Sequence, residues 1–150
     1  VAVFMIPPSQ LVSGEAIINA SGELRIEEKN IAIDGRVQAA NIGSGTIILR
    51  GDNSQQFNGI YLGEAADKAV LRDITVESFG GNGVAIYGVG SVNDQGATLE
   101  RLQLIDNHQY GVLLLSGSSH TQIINNITSY PSSINNGRGQ SYTSREEWIN

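Results

Sequence analysis

The chain has 150 residues, 40% of them hydrophobic and 16% charged, a balance that suits one folded domain and excludes a largely disordered chain. A net charge of −6 argues against nucleic acid or an anionic membrane as the main partner. With no cysteine there is neither a disulfide nor a thiolate metal site, and no run reaches the ~18 apolar residues of a membrane span.

Taken in chain order, residues 1–22 read as a lead-in, 23–130 as repeating strands and 131–150 as an irregular C-terminal cap. The apolar start from Val1 to Ile6 is short and lacks the basic flank of a signal peptide. Beginning on Val suits a processed product or a piece of a longer protein. Leu24 and Ile26, then Ile31 and Ile33, give two short alternating strands across a polar turn from Glu27 to Asn30. Thr46 to Gly51 opens the next repeat.

Three blocks then share the order polar, Gly, apolar, any, apolar: Asn58 to Leu62, Asn82 to Ile86 and Tyr110 to Leu114. Between the last two, Leu71, Ile74, Val76, Gly83, Val84 and Ile86 recur 28 residues on as Leu99, Leu102, Leu104, Gly111, Val112 and Leu114. A further repeat begins near Ile123, Ile124 and Ile127 and loses its alternation at 129–133. Near the end, Ser144 and Glu147 have capping-box spacing ahead of Trp148 and Ile149, which predicts a short helix over the last rung or, equally, a frayed tail.

A fixed period in the twenties, built of short alternating strands, means stacked coils. The predicted fold is all-β, a parallel β-solenoid of about five rungs. One period then brings partners onto adjacent strands about 4.8 Å apart. Ile60, Val84 and Val112 stack inward, as do Leu62, Ile86 and Leu114. Arg72 falls beside Glu100, and Asp73 beside Arg101. Opposite charges in both pairs support the same register independently. Outward lie Tyr61, Ala85 and Leu113, an apolar row expected to be covered or to contact another subunit or domain rather than sugar.

This pattern of Leu71, Ile74, Val76, Asn82, Gly83, Val84 and Ile86, repeated at Leu99 to Leu114, resembles the right-handed parallel β-helix of the pectate-lyase-like superfamily. The opening Asn30 to Gly35 resembles an early rung of such proteins. The superfamily holds polysaccharide lyases, glycoside hydrolases, alginate epimerases, phage tailspikes and non-catalytic surface proteins, so the likeness implies a fold and leaves the reaction open. It implies an extracellular, cell-surface or virion setting and, as partners, a polysaccharide or a neighbouring subunit or domain. The chain is short for the enzymes, which makes it a small member or part of a longer solenoid.

The most suggestive chemistry is the cluster Asp106, Asn107, His108, Gln109 and Tyr110. Asp106, His108 and Tyr110 could act as charge neutraliser, base and acid in uronate elimination or epimerisation. The stretch lacks the Asp-Pro-His order of the epimerases, and the bland alternative is a solvated turn with Asn107 bonding its own backbone. A Ca²⁺ ion needs several converging oxygens, whereas Asp52, Glu64, Asp67, Asp73 and Asp94 fall on different corners. Arg50, Lys68 and Arg72 read as surface charges, and His120 beside Ser118 and Ser119 as a turn residue without a nucleophile elbow. Tyr61, Tyr87, Tyr130 and Tyr142 are candidate sugar platforms or closures of the core. The leading expectation is a module for carbohydrate recognition or scaffolding; the alternative is a polysaccharide lyase or epimerase.

Overall fold

The computed structural model describes residues 5–38, 46–89, 96–115 and 118–128, together with the backbone of three short strands beyond them. The strands are β1 (Glu15–Asn19), β2 (Leu24–Ile26), β3 (Ala32–Asp34), β4 (Thr46–Arg50), β5 (Ile60–Leu62), β6 (Val70–Arg72), β7 (Ile74–Glu77) and β8 (Val84–Ile86). They continue as β9 (Thr98–Glu100), β10 (Gln103–Ile105), β11 (Val112–Leu114), β12 (Thr121–Ile124), β13 (Ile127–Thr128), β14 (Ile134–Asn135), β15 (Ser141–Tyr142) and β16 (Glu147–Ile149).

The chain visits three sheets in rotation. Their orders are β1-β4-β7-β10-β13 in the first, β2-β5-β8-β11-β14-β15 in the second and β3-β6-β9-β12-β16 in the third. Pairing is parallel from β1 through β14, so each round of three strands is one turn of a β-solenoid. Four turns are complete (β1–β3 through β10–β12) and a fifth begins at β13, slightly fewer than expected from the period. The first turn also starts earlier than expected, at Glu15, inside the segment read as a lead-in.

The register is the one that the repeat implies. Leu71 pairs with Leu99, Val76 with Leu104 and Ile86 with Leu114, each 28 residues apart. Inward side chains stack into columns along the axis. Ile60, Val84 and Val112 form one; Leu62, Ile86 and Leu114 a second; Ile33, Leu71, Leu99 and Ile123 a third, all buried. In the first sheet Leu49, Val76 and Leu104 end on Thr128, whose hydroxyl is buried without a hydrogen-bond partner. The apolar column stops there because a Thr has entered the core position.

Turns between sheets are made by single residues in the left-handed region. Asp73, Arg101 and Asn125 (φ +53°, +51° and +51°) turn the chain from the third sheet into the first. Ser78 and Asp106 do so from the first into the second, and Asn30, Lys68 and His120 lie where the chain enters the third. Each column keeps its corner in place, so insertions between repeats fall in loops rather than in strands.

Glu147–Ile149 is a strand and not the expected helix. It pairs antiparallel with β12, setting Trp148 beside Gln122, while β15 pairs antiparallel with β14. Ser144, the proposed cap residue, lies outside the described residues. The free edge of β12 offers unpaired N–H and C=O groups, and a reversed strand satisfies them without continuing the solenoid.

Candidate functional site

Asp106, His108 and Tyr110 sit on the turn from β10 to β11. The backbone of this turn is tied to the previous rung: the His108 N–H donates to the Phe79 carbonyl at 2.8 Å and the Gln109 N–H to the Gly81 carbonyl at 3.0 Å. The Tyr110 N–H donates to Asn82 Oδ1 at 3.2 Å. Asp106 and His108 are exposed and Tyr110 is half-buried; no hydrogen bond joins their side chains among the described residues. Asp106 turns the chain with φ +51°, so the three side chains do not share one face of an extended strand.

Asn107 corrects the sequence reading. It is fully buried and bonds the rung below rather than its own backbone: Oδ1 accepts from the Phe79 N–H at 3.2 Å, and Nδ2 donates to the Val76 carbonyl at 3.0 Å. Asn126, also fully buried, does the same one corner away, with the Leu102 N–H at 2.7 Å and the Leu99 carbonyl at 2.9 Å. Both asparagines follow a left-handed residue, Asp106 and Asn125. That pair of residues is a sequence signal for a corner clamp, since an amide offers a donor and an acceptor together.

On the outer face of the second sheet, Arg25, Tyr61, Ala85 and Leu113 stand in one row. Tyr61 and Leu113 are half-buried and Ala85 is buried. The Arg25 guanidinium lies 4.1 Å from the Tyr61 ring centroid, held by Glu23 at 2.8 Å and Glu27 at 2.6 Å. One face of Tyr61 is therefore taken by a cation and is closed to a stacked sugar. Ile105 is half-buried and Leu115 exposed, as expected of residues surplus to the core.

The charged residues gather at the corner between the third and first sheets. Asp73 accepts from Arg101 at 2.8 and 2.7 Å, the pair that the register implies. Arg72 does lie beside Glu100, yet its Nε donates to buried Asp34 on the preceding rung at 2.7 Å, and Glu100 pairs with Arg101. Arg36 joins from the other side, 2.9 Å from Asp34 and 3.3 Å from Asp73. Hydrogen bonding to Arg36, then to Arg72, holds the Asp34 carboxyl down at about 2 against the cost of its burial. Asp73 raises the already high pKa of Arg101, and Glu100 adds to this. Three acids and three arginines thus neutralise each other along one edge.

A small recess of about 200 Å³ opens beside this edge, lined by Thr46, Asp73, Ile74, Thr75, Arg101 and Gln103. An apolar cavity of about 480 Å³ opens at the first turn, between Ile18, Leu24, Leu49 and the core residues below them. Among the described residues, no three His, Asp or Glu gather as metal ligands would, and Asp94 lies outside them. Arg50 is paired with Glu77 at 2.6 Å. His120 Nδ1 lies 3.1 Å from Ser119 Oγ on an exposed corner, Tyr87 is exposed, and Tyr130 is outside the described residues, as is the side chain of Tyr142. No helix in the described residues is long and apolar enough to cross a membrane.

No protein-family model, curated protein or solved structure matches this chain. The fold and the residues at its corners carry the functional argument.

Proposed function

We propose that the chain is a right-handed β-helix module of the pectate-lyase-like kind, working outside the cell, on a cell surface or on a virion, in carbohydrate recognition or as a scaffold. The observation that supports this reading is the use made of its charged groups. Asp34, Asp73, Glu100, Arg36, Arg72 and Arg101 are engaged with one another, and a catalyst needs such groups aimed at a substrate. Handedness and setting follow from the resemblance of the repeat.

A second reading rests on one observation: Asp106, His108 and Tyr110 have no side-chain partner among the described residues and share one turn. They are the acid and base candidates for a lyase or epimerase acting on uronate polymers. Incubation with alginate, pectate and hyaluronan separates the two readings. The recognition or scaffold reading expects no ultraviolet absorbance from a new C=C bond and no epimerised product. Product that disappears in His108→Ala and Tyr110→Phe would instead establish the enzyme.

A further inference from the structure

We infer that the recess beside the Asp73–Arg101 pair is a binding site for one ring of a neutral sugar. It lies at the start of the first sheet's outer face, on a different side of the solenoid from the Tyr61 row. Register sets Thr46 next to Asp73 and Thr75 next to Gln103, with Arg101 completing the rim and Ile74 beneath. The hydroxyls of Thr46 and Thr75 and the carboxamide of Gln103 have no hydrogen-bond partner among the described residues. Arg101 keeps N–H groups beyond those given to Asp73 and Glu100.

Unpartnered donors and acceptors around a small concave space are what orients a polar ligand. The charge on the rim selects its class. Asp73 and Arg101 cancel at the mouth, with Arg36 and Glu100 cancelling behind them. An anion meets the Asp73 carboxylate and a cation meets Arg101, whereas a hydroxyl can donate to one and accept from the other. The volume of about 200 Å³ matches roughly seven waters at about 30 Å³ each. That is room for one pyranose ring and not for a chain folded into the recess. Neighbouring rings of a glycan would run along the outside of the sheet, and a single ring would bind weakly, in the millimolar range.

The inference rests on the carbohydrate-recognition half of the proposed function, and the test keeps the two apart. The full chain, labelled with ¹⁵N, is titrated with glucose, galactose, mannose and N-acetylglucosamine, and separately with glucuronate. At least one neutral sugar is expected to shift the Gln103 side-chain amide, the Arg101 Nε–H and the Thr46 and Thr75 backbone amides, with glucuronate weaker. The double variant Thr46→Val/Gln103→Ala removes exposed polar groups without touching the ion pair. It is expected to weaken binding about tenfold, the loss of one or two modest hydrogen bonds. Unchanged affinity in that variant, or shifts confined to the Tyr61 row, overturns the recess as the site while leaving recognition standing. Silence from every sugar, with no binding across a panel of longer glycans, overturns both.

Discussion

Asp34 shows how a single residue is drawn into the architecture. It is buried at the corner, with Arg36 and Arg72 donating to it from two rungs. Its carboxyl is held at about 2, below the ordinary 3.8, first by Arg36. A depressed carboxyl adds stability that is fully present above the unfolded value and is lost as pH falls through the folded one. The window therefore runs from about 3.8 down to about 2. Because Arg36 is half-exposed, screening reduces the contribution to about 1–2 kcal/mol. Urea denaturation at steps across that window should show a decline in the parent protein that is visibly flatter in Asp34→Asn. Parallel declines in both would show that Asp34 is not the group responsible. The sequence revealed the pairing of Asp73 with Arg101 because both lie in the 28-residue repeat. It hid the Asp34–Arg72 pair, because that rung is 38 residues long and breaks the period.

At the scale of the element, the recurring Gly ahead of each second-sheet strand has a packing cause. A Cβ on Gly59 would lie 2.7 Å from the Gly83 carbonyl oxygen, and one on Gly83 would lie 2.7 Å from the Gly111 oxygen and 2.8 Å from Asn107 Nδ2. Each glycine thus lets the next rung approach, which is why the motif repeats as it does. Gly83→Ala is expected to cost about 1–3 kcal/mol by overpacking, whereas Gly22→Ala, with nothing within 4 Å of the added carbon, should stay within about 0.5 kcal/mol. Thermal denaturation of the two variants checks this, and equal midpoints would contradict it. The motif was plain in the sequence, but its clamp was not. Asn107 looked like a solvated turn residue because neighbouring Asp106 and His108 are polar and exposed, and nothing local shows that its amide reaches back to Val76 and Phe79.

Across the whole molecule, the three sheets wind four times and then stop where Thr128 takes a core position and reversed strands close two sheet edges. The first turn was the least legible part. β1 pairs with β4 at an offset of 31 (Ala16 with Ile47) and β2 with β5 at 36 (Leu24 with Ile60), so loop length erased the period at the N-terminal end. The C-terminal strand was misread as a helix because capping-box spacing is a local signal, while the open edge of β12 is a tertiary one. The corner recess was invisible for a similar reason, since Thr46 reaches it across a loop of different length from those that bring Thr75 and Gln103.

The central claim is the parallel stacking itself, with residues 28 apart on adjacent strands. Cysteines replacing Ala85 and Leu113, which face each other on β8 and β11, test it in a chain that has no cysteine of its own. Adjacent strands at about 4.8 Å fall within the Cα separation that a disulfide tolerates. Mild oxidation of the folded monomer should form the bond within one chain, whereas Ala85→Cys with Leu114→Cys, where the second side chain points into the core, should stay reduced. A bond in the second variant and none in the first would contradict the register, and with it the solenoid.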